Sequence, residues 1–395
     1  MASARVLTAP ALADAPALLE ALRAALEGRG PALAPVPAGA PGAALAEAAR
    51  PDEPVEDDVA LLVGTSGSTG EPKVVELGAP ALLASARATA DRLGGHGRWL
   101  LALPLEHVAG WQVLVRSAVA GTEPVVAATP ATADTTAALH RLLAADAPRR
   151  YASLVPTQLV RLLDDPAAAE ALAGLDAVLL GGAAAAPALL ERAAAASVPV
   201  VRTYGGTETS GGCVYDGRPL DGVRVALDPD GRVLLGGPVL ARGYRGRPDL
   251  TAAAFGERDG QRWFATSDAG EVGADGVLSV LGRLDDVLVT GGRKVAPAAV
   301  EAVLGALPGV AEVLVVGVPD ARWGQRVVAL VVAAAPGPPA LELARAAVTE
   351  RLGPAAAPRE LLEVPALPLR GVGKPDRVAA TALASLAARP SAAGD

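Results

Sequence analysis

Cysteine is nearly absent from this 395-residue chain, and its scarcity excludes whole classes of structure. Because Cys213 is the only cysteine, no intrachain disulfide can form and no cysteine-based zinc site can be built. The three histidines, at positions 96, 107 and 140, are scattered along the sequence. A structural metal site is therefore not expected.

Long apolar runs and blocks of like charge are also missing. No uninterrupted apolar stretch reaches the ~18 residues of a membrane-spanning helix, because Gly and Pro break the longest candidates, 177–190 and 327–341. Pro10 and Asp14 interrupt the apolar segment that a signal peptide would need. The formal charge of −8 is spread without a basic patch for nucleic acid or a membrane surface. We expect a cytoplasmic protein with no nucleic-acid partner and no membrane insertion.

Aromatic residues are scarce too, with four Trp, four Tyr and two Phe in the whole chain. The hydrophobic fraction is nonetheless 51%, much of it alanine, which is enough for large cores built mostly of small side chains. A chain of this length exceeds the usual size of one compact core, so two or more units are expected.

The chain is organised around residues 64–73, Gly-Thr-Ser-Gly-Ser-Thr-Gly-Glu-Pro-Lys. They lie between the apolar run 59–63 and a pair of valines, which predicts a strand, a glycine-rich loop and a second strand. Glycines let the backbone approach a ligand, while hydroxyls and main-chain N–H groups form a concavity that suits phosphate oxygens. A mobile surface hairpin is the alternative. The spacing differs from the P-loop pattern and no helix is indicated at Lys73, so a Walker-type NTPase is disfavoured.

Residues 65–73 resemble the phosphate loop of the adenylate-forming superfamily, which includes acyl- and aryl-CoA ligases, stand-alone adenylation domains and luciferases. The resemblance implies ATP-dependent activation of a carboxylate through an acyl-adenylate, with Mg²⁺ as cofactor and ATP and CoA as co-substrates. The ATP-binding residues that it implies in this loop are Thr65, Ser66, Gly67, Ser68, Thr69, Gly70 and Lys73.

Three successive patterns predict the fold class, which is α/β. Strand-like runs alternate with helical patterns over residues 59–202, which predicts a largely parallel sheet covered by helices. Short β-prone runs separated by Asp-Gly pairs then predict a small antiparallel unit, and an α+β pattern follows residue 282. We expect a large N-terminal domain, 1–284, and a small mobile C-terminal domain, 285–395. Residues 1–58 are interpreted as a shortened lead-in with a linker.

Two further segments resemble nucleotide motifs of the family. Residues 176–183 end a strand in Leu-Leu-Gly-Gly-Ala, where glycines let an adenine ring lie against the backbone, although a plain βα turn has the same pattern. The segment 204–208 resembles the family's Tyr-Gly-x-Thr-Glu. The resemblance implies that Thr207 donates to the α-phosphate and that Glu208 holds Mg²⁺. The remaining ATP-binding residues implied by these segments are Gly181, Gly182, Ala183, Tyr204, Gly205 and Gly206.

The motifs that follow resemble the ribose site and the hinge of the family. Thr266-Ser267-Asp268 stands where the family has Thr-Gly-Asp, so Asp268 would accept both ribose hydroxyls, although serine replaces the glycine. In the segment 282–286, Arg283 would contact the ribose and Asp285 would be the hinge. The loop with Gly291 and Gly292 would line the passage for CoA. Residues 368–377 resemble the terminal Pro-x-x-x-x-Gly-Lys-x-x-Arg motif, which makes Lys374 the adenylation lysine.

The segment 103–110, Leu-Pro-Leu-Glu-His-Val-Ala-Gly, resembles the family segment whose aromatic residue gates the acyl pocket. His107 would be the gate, and with Lys374, Thr207 and Glu208 it completes the catalytic set. This segment and the residues after it are more similar to o-succinylbenzoate–CoA ligases than to long-chain fatty acyl-CoA synthetases. An acid with a second carboxylate needs a polar or cationic group deeper in the pocket. The candidates near the gate are Gln112, Arg116 and Gln158, which would line the acyl pocket together with His107.

Other functions fit the same motifs. The chain could activate another aryl or acyl acid, or load a carrier-protein thiol instead of CoA. A non-catalytic nucleotide sensor is a different class, and such a protein would be expected to lose Lys374 or Glu208, both of which are present. The expected partners are a small carboxylic acid, ATP and CoA, and the oligomeric state, a homo-oligomer included, is left open.

Overall fold

The computed structural model of the protein describes residues 3–8, 10–66, 72–127, 129, 131–335, 337–370 and 374–387, with the backbone alone at 13, 66, 370 and 374. Across these residues an α/β part comes first, an antiparallel part follows, and an α+β part ends the chain. The predicted fold class is therefore confirmed. Every helix among the described residues is too short or too polar to traverse a lipid bilayer.

The helices and strands alternate regularly in the first half of the chain. In order they are β1 (Ala4–Thr8), α1 (Ala15–Leu26), β2 (Ala32–Val36), α2 (Gly39–Ala48), β3 (Val59–Ser66), β4 (Pro72–Gly78), α3 (Ala79–Leu93), β5 (Arg98–Leu101), α4 (Val108–Ala120), β6 (Val125–Val126), α5 (Thr132–Ala144), β7 (Arg150–Leu154), α6 (Pro156–Leu163), α7 (Pro166–Ala173), β8 (Ala177–Leu180), α8 (Pro187–Ala195), β9 (Val200–Gly206), β10 (Gly211–Tyr215) and β11 (Arg218–Pro219).

Strands dominate the second half, and helices return near its end. The elements are β12 (Arg224–Leu227), β13 (Arg232–Gly236), β14 (Gly243–Tyr244), α9 (Pro248–Ala254), β15 (Phe255–Arg258), β16 (Gln261–Val272), β17 (Leu278–Arg283), β18 (Leu288–Thr290), β19 (Arg293–Val295), α10 (Pro297–Leu304), β20 (Val310–Asp320), β21 (Gly324–Ala333), α11 (Leu341–Leu352), β22 (Glu360–Glu363), β23 (Leu369–Arg370), β24 (Lys374–Pro375) and α12 (Arg377–Ala387). Short 3-10 turns occur at Leu12–Asp14, Thr207–Thr209 and Leu284–Asp286.

Two sheets form the large α/β part. The first has the order β1-β2-β3-β4-β14, in which β1, β2 and β3 are parallel and β4 and β14 are antiparallel to their neighbours. The second has the order β11-β10-β9-β8-β7-β5-β6, and its strands from β6 to β9 are parallel. The predicted parallel sheet with helical crossovers is this second sheet.

Helices fill the space around these two sheets. One core of buried residues joins the first sheet, helices α1, α3 and α4, and one face of the second sheet, and Trp111 of α4 is fully buried within it. A second core covers the opposite face of the second sheet with helices α5 to α8. Leu and Ala supply most of both cores, as the composition requires.

Residues 3–58 differ from the predicted lead-in and linker. Strand β2 is buried throughout and pairs with β1 and β3, so this segment is part of the first sheet. The Pro- and Gly-rich stretch interpreted as a linker forms α2. Its proline, Pro41, is tolerated because it lies in the first helical turn, where an N–H has no partner within the helix. Gly42 is also needed for packing, since a Cβ there would lie 1.6 Å from the Pro37 carbonyl oxygen.

The remaining residues form smaller units. Strands β12, β13, β16, β15 and β17 make an antiparallel sheet. The Asp216-Gly217 pair, in which both residues have positive φ as in a type I′ turn, instead joins β10 and β11 of the second sheet. Strands β19, β18, β21, β20 and β22 make the last large sheet, with α10 and α11 packed on one core and α12 on another. The predicted tail, 388–395, lies outside the described residues.

Candidate active site

Strands β3 and β4 present the ends of the glycine-rich loop side by side. They pair antiparallel, with Thr65 opposite Lys73 and Ser66 opposite Pro72, so the two predicted strands are confirmed. The loop residues Gly67, Ser68, Thr69 and Gly70 lie outside the described residues, as does the side chain of Ser66. The Lys73 ammonium lies 5.8 Å from the centre of the Tyr244 ring, where a cation is attracted by the π face.

The parallel sheet ends in a glycine-lined edge beside that hairpin. Gly181 follows β8, and a Cβ there would lie 2.4 Å from Thr203 Oγ1 in the neighbouring strand β9. Gly182 has a φ of +85°, a conformation that suits glycine. The predicted adenine residues 181–183 and Tyr204 therefore come from adjacent strands of one sheet edge, where ligands of parallel sheets commonly bind.

Strand β9 ends in a sharp turn that carries Thr207 and Glu208. A Cβ at Gly205 would lie 2.4 Å from the Gly211 carbonyl oxygen, so the close return of β10 requires glycine. The Thr209 hydroxyl closes the turn, accepting from the Gly206 N–H at 2.9 Å and donating to the Gly211 carbonyl at 2.8 Å. The chain thus fixes Thr207 and Glu208 at the edge of the second sheet.

Each of two tyrosines holds one of the predicted carboxylates. The Tyr204 hydroxyl donates to Asp268 Oδ2 at 2.7 Å, and the Tyr244 hydroxyl donates to Glu208 Oε1 at 3.0 Å. Burial, reinforced by the negative charge of Asp268, raises the pKa of Tyr204. Burial, together with Glu208, likewise raises the pKa of Tyr244. Both phenols therefore keep their protons and remain donors at neutral pH.

The predicted ribose residues lie opposite each other in the antiparallel sheet. Asp268 of β16 pairs with Arg283 of β17, and the Asp268 N–H donates to Thr266 Oγ1 at 3.1 Å. Ser267, which stands where the family has glycine, lies within the continuous strand β16 and does not have a left-handed backbone. The substitution is therefore compatible with the local conformation, and Asp268 keeps its register.

Two known domain families match most of this chain. Residues 4–245 match the family described as "AMP-binding enzyme", and residues 299–374 match "AMP-binding enzyme C-terminal domain". The chain belongs to the AMP-binding enzymes. These are the adenylate-forming enzymes that the glycine-rich loop indicated.

Named relatives and solved structures agree with this assignment. A protein of Mycobacterium tuberculosis called "Probable 2-succinylbenzoate--CoA ligase" is 50% identical over 378 residues, which cover 95% of this chain and 97% of that protein. The structure of o-succinylbenzoate CoA synthetase (MenE) from Bacillus subtilis in complex with the acyl-adenylate intermediate OSB-AMP covers 95% of this chain and 87% of that one, with 25% identity and a TM-score of 0.72. The same synthetase in complex with ATP and a magnesium ion also matches at 25% identity and a TM-score of 0.72, covering 95% of this chain and 88% of that one.

Glu208 and its surroundings suit the magnesium ion of an AMP-binding enzyme. The carboxylate is half-buried, and no ion pair occupies it among the residues that the structure describes. One oxygen is held by Tyr244, while Oε2 lies over Gly206, where a Cβ would be only 3.1 Å away. A carboxylate oxygen with substrate phosphates and water is the usual ligand set of Mg²⁺, so these residues fit the ion.

Helix α4 carries the predicted gate and two buried polar groups. His107 is exposed and occupies the N-cap position of α4. Gln112 and Arg116, one turn apart on the helix, are 1% and 6% exposed. The Gln112 amide donates to the carbonyl of Ser210, directly after the Thr207–Thr209 turn, whereas its Oε1 has no hydrogen-bond partner in the described structure. Helix α4 therefore contacts the turn that carries the phosphate and metal residues.

Arg116 is a buried cation without a described counter-ion. Its guanidinium stacks 4.7 Å from the centre of the Trp99 ring and lies 3.4 Å from both Ser153 Oγ and Tyr215 Oη. Arg116 Nε has no hydrogen-bond partner, and no carboxylate pairs with the side chain, within the described ranges. Burial lowers the pKa of Arg116, with a smaller opposing effect from Tyr215. The fold thus keeps a cation where a buried positive charge is costly.

Gln158 has a different position from the other pocket candidates. Its Oε1 accepts from the Val155 N–H at 3.1 Å, and its Nε2 donates to the Ala102 carbonyl at 2.8 Å. Both ends of the amide are therefore engaged by backbone groups, one at the start of α6 and one directly after β5. Its contacts give no support to the predicted place in the acyl pocket.

The hinge and glycine-loop residues lie close together in sequence and structure. Asp285 belongs to the 3-10 turn between β17 and β18 and pairs with Arg283 at 2.9 Å. Gly291 and Gly292 form the turn of the β18–β19 hairpin with φ of 54° and 72°. The Trp323 carbonyl accepts from the Gly291 N–H at 2.9 Å, and a Cβ at Gly291 would meet the Trp323 ring at 2.9 Å.

Lys374 lies in the last β-hairpin. Its backbone forms β24 and pairs with Arg370 of β23, but its side chain lies outside the described residues. Arg377, at the end of the same motif, pairs through Nε with Asp286 and through Nη1 with Glu301, each at 2.8 Å. Burial alone would lower the pKa of Arg377, but these two carboxylates outweigh it and raise the pKa. The segment after Lys374 is thereby anchored beside the predicted hinge.

Several residues at the site were not found from the sequence. Tyr244 and Ser210 contact motif residues but lie outside the quoted motifs, and Trp323 packs on the glycine loop. The Arg-Gly-Tyr stretch 242–244 matches none of the motifs quoted above. Its pairing with β4 depends on residues far away in the chain, which a local pattern cannot show.

Proposed function

We propose that this AMP-binding enzyme is an o-succinylbenzoate–CoA ligase, which converts o-succinylbenzoate, ATP and CoA to the thioester, AMP and diphosphate. The observation that carries the choice of acid is the buried guanidinium of Arg116 without a described carboxylate partner. An acid with two carboxylates can place one at the reacting centre and offer the other to such a cation. The 50% identical relative, whose name includes 2-succinylbenzoate, supports the same acid.

In the first half-reaction the acid carboxylate attacks the α-phosphorus of ATP. A new P–O bond forms to the carboxylate, and the bond to the β-phosphate breaks to release diphosphate. Thr207 and the loop that starts at Thr65 and ends at Lys73 bind the phosphates, and Asp268 and Arg283 bind the ribose. Residues 181–183 and 204–206 receive the adenine. Glu208 would hold a magnesium ion, which would neutralise phosphate charge. Lys374 adds a positive charge beside the carboxylate and the α-phosphate.

In the second half-reaction the CoA thiolate attacks the acyl carbon, and the bond to AMP breaks. We propose that rotation at Asp285 removes Lys374 from the site and brings the loop with Gly291 and Gly292 to the pocket. No protein nucleophile is required. Cys213, the one cysteine, is fully buried, and burial raises the pKa of its thiol to about 12, so it cannot act as a thiolate at neutral pH.

The test is a panel of acids in ATP–diphosphate exchange, followed by thioester formation with CoA. O-succinylbenzoate, benzoate, salicylate and hexanoate separate a dicarboxylic aryl acid from its simpler relatives. We expect o-succinylbenzoate to give the highest kcat/KM in both assays. Equal or better turnover of benzoate or hexanoate would contradict the proposed acid. Exchange without thioester formation would instead indicate a carrier-protein thiol as acceptor.

A further inference from the structure

Tyr244 lies where two parts of the nucleotide site meet. It belongs to β14, which pairs with β4, and it stands opposite Val75, two residues after Lys73. Its ring is 5.8 Å from the Lys73 ammonium, and its hydroxyl donates to Glu208 Oε1 at 3.0 Å. One side chain therefore contacts both the cation that ends the phosphate loop and the carboxylate assigned to magnesium.

The position of the Tyr244 hydroxyl is fixed by its own neighbours. The Tyr244 N–H donates to Thr251 Oγ1 at 2.9 Å, and the ring meets Phe255 edge-on at 6.0 Å between centroids. The segment that leads into β14 also holds the main chain of Glu208, because the Ala241 N–H donates to the Glu208 carbonyl at 2.8 Å. Both the backbone and the side chain of Glu208 are thus positioned from one short segment, residues 241–244.

A carboxylate on a short turn has several rotamers, and only some of them direct an oxygen toward a bound ion. The hydrogen bond to Oε1 restricts Glu208 to orientations in which Oε2 lies over Gly206. Outer partners of this kind orient metal ligands, and their loss typically costs about 10- to 100-fold in metal affinity or activity.

We propose that Tyr244 is a positioning residue for the divalent cation of Mg·ATP, which it serves by holding Glu208 Oε1 so that Oε2 can meet the ion. The proposal rests on the proposed function, in which Glu208 is the magnesium ligand. Tyr244 itself touches no substrate in this account. Its effect should therefore appear in the dependence on magnesium, and binding of the metal-free nucleotide should be unaffected.

The decisive variant is Tyr244→Phe, which removes the hydroxyl and keeps the ring beside Lys73 and Phe255. ATP binding is measured by titration calorimetry in EDTA and over a series of magnesium concentrations, and diphosphate exchange is measured over the same series. We expect the magnesium concentration for half-maximal effect to rise about 10- to 100-fold in both measurements. ATP affinity in EDTA and exchange at saturating magnesium should match the wild type.

Tyr204→Phe is the matched control, because it removes the other tyrosine hydroxyl that holds a carboxylate, Asp268. It should weaken ATP binding by the same factor with and without magnesium, since its partner is assigned to the ribose. If Tyr244→Phe weakens ATP binding equally in both conditions, or leaves the magnesium dependence unchanged, the positioning role is wrong. A thermal unfolding midpoint measured without nucleotide shows whether the variant is folded.

Glu208→Gln separates failure of this inference from failure of the proposed function. If Glu208→Gln shifts the magnesium dependence and Tyr244→Phe does not, only the role of Tyr244 is overturned. If Glu208→Gln keeps the wild-type magnesium dependence, Glu208 is not the magnesium ligand, and the metal assignment within the proposed function fails together with this inference. A shift in both variants supports both assignments.

Discussion

Arg116 carries a positive charge in the interior of the large domain, stacked on Trp99 and close to two hydroxyls. The two neutral hydroxyls and the ring solvate the guanidinium less well than water does. Removing an ion from water costs several kcal/mol. This cost is offset if an anionic ligand binds the guanidinium in the substrate complex. A second substrate carboxylate would do so here, which is why the acid specificity is assigned to this residue.

Arg116→Met tests that assignment at the level of one side chain. A hydrogen bond between charged groups contributes about 1.5–3 kcal/mol, so kcat/KM for o-succinylbenzoate should fall roughly 10- to 100-fold. Because a buried unpaired charge is replaced by an apolar side chain, the free energy of unfolding should be unchanged or higher. Steady-state kinetics and urea denaturation on the same preparation measure both quantities.

Arg116→Lys is the companion variant, since it keeps the charge and loses the planar guanidinium. It should retain more activity with o-succinylbenzoate than Arg116→Met does. A loss of stability in Arg116→Met with unchanged kinetics would show that Arg116 is a packing residue only.

Residue identities at the nucleotide site could be predicted where a short motif carries them. Tyr204 and Glu208 lie within one five-residue segment, and the structure fixes both at the end of β9. Tyr244 could not be found in this way, because its partner Glu208 is 36 residues away and the contact depends on the pairing of β14 with β4. Gln158 is a candidate by its proximity in sequence, but its amide bonds to the N–H of Val155 and to the carbonyl of Ala102.

At the scale of elements, segments with a regular apolar pattern were predicted correctly, whereas segments with a weak pattern were not. The alternation after residue 59 predicted the parallel strands and their helices, since buried parallel strands are apolar throughout. Strand β2 is Ala-Leu-Ala-Pro-Val, which has a single β-branched residue and owes its conformation to pairing with β1 and β3. Tertiary contacts, more than local preference, therefore decide the structure of residues 3–58.

Arg245 shows how this N-terminal segment is attached to the rest of the domain. It is 9% exposed, and its guanidinium donates to the carbonyls of Ala49, Arg50, Glu53 and Pro54 and to Glu76 Oε1. Glu76 lies in β4, and Arg245 directly follows β14. One side chain thus joins the turn after α2 to the edge of the first sheet.

Arg245→Met should destabilise the protein by about 3–5 kcal/mol, because it leaves the partly buried carboxylate of Glu76 and several backbone carbonyls without their partner. Urea denaturation measures the change. Arg258→Met is the control, since Arg258 is exposed, 3.8 Å from Asp259, and an exposed pair contributes about 0–1 kcal/mol. Equal stability of the two variants would show that Arg245 does not attach the segment.

At the scale of the whole molecule, we propose that the two half-reactions use different arrangements of the small domain. Arg377 pairs with Asp286, the neighbour of the proposed hinge residue Asp285, and with Glu301 of α10. The segment with Lys374 is therefore joined to the small domain. A rotation of that domain at Asp285 would carry Lys374 with it. The lysine can then act in one half-reaction and be absent from the other.

The most direct test of this two-step account is the ratio of the two half-reactions in Lys374→Ala. Diphosphate exchange with o-succinylbenzoate reports adenylation, and presynthesised o-succinylbenzoyl-adenylate with CoA reports thioester formation. Loss of one preorganised donor costs roughly 10²–10³ in rate, so exchange should fall by that factor while thioester formation stays near wild type. Full exchange activity would contradict the role of Lys374, and a comparable collapse of thioester formation would contradict the alternation of the two arrangements.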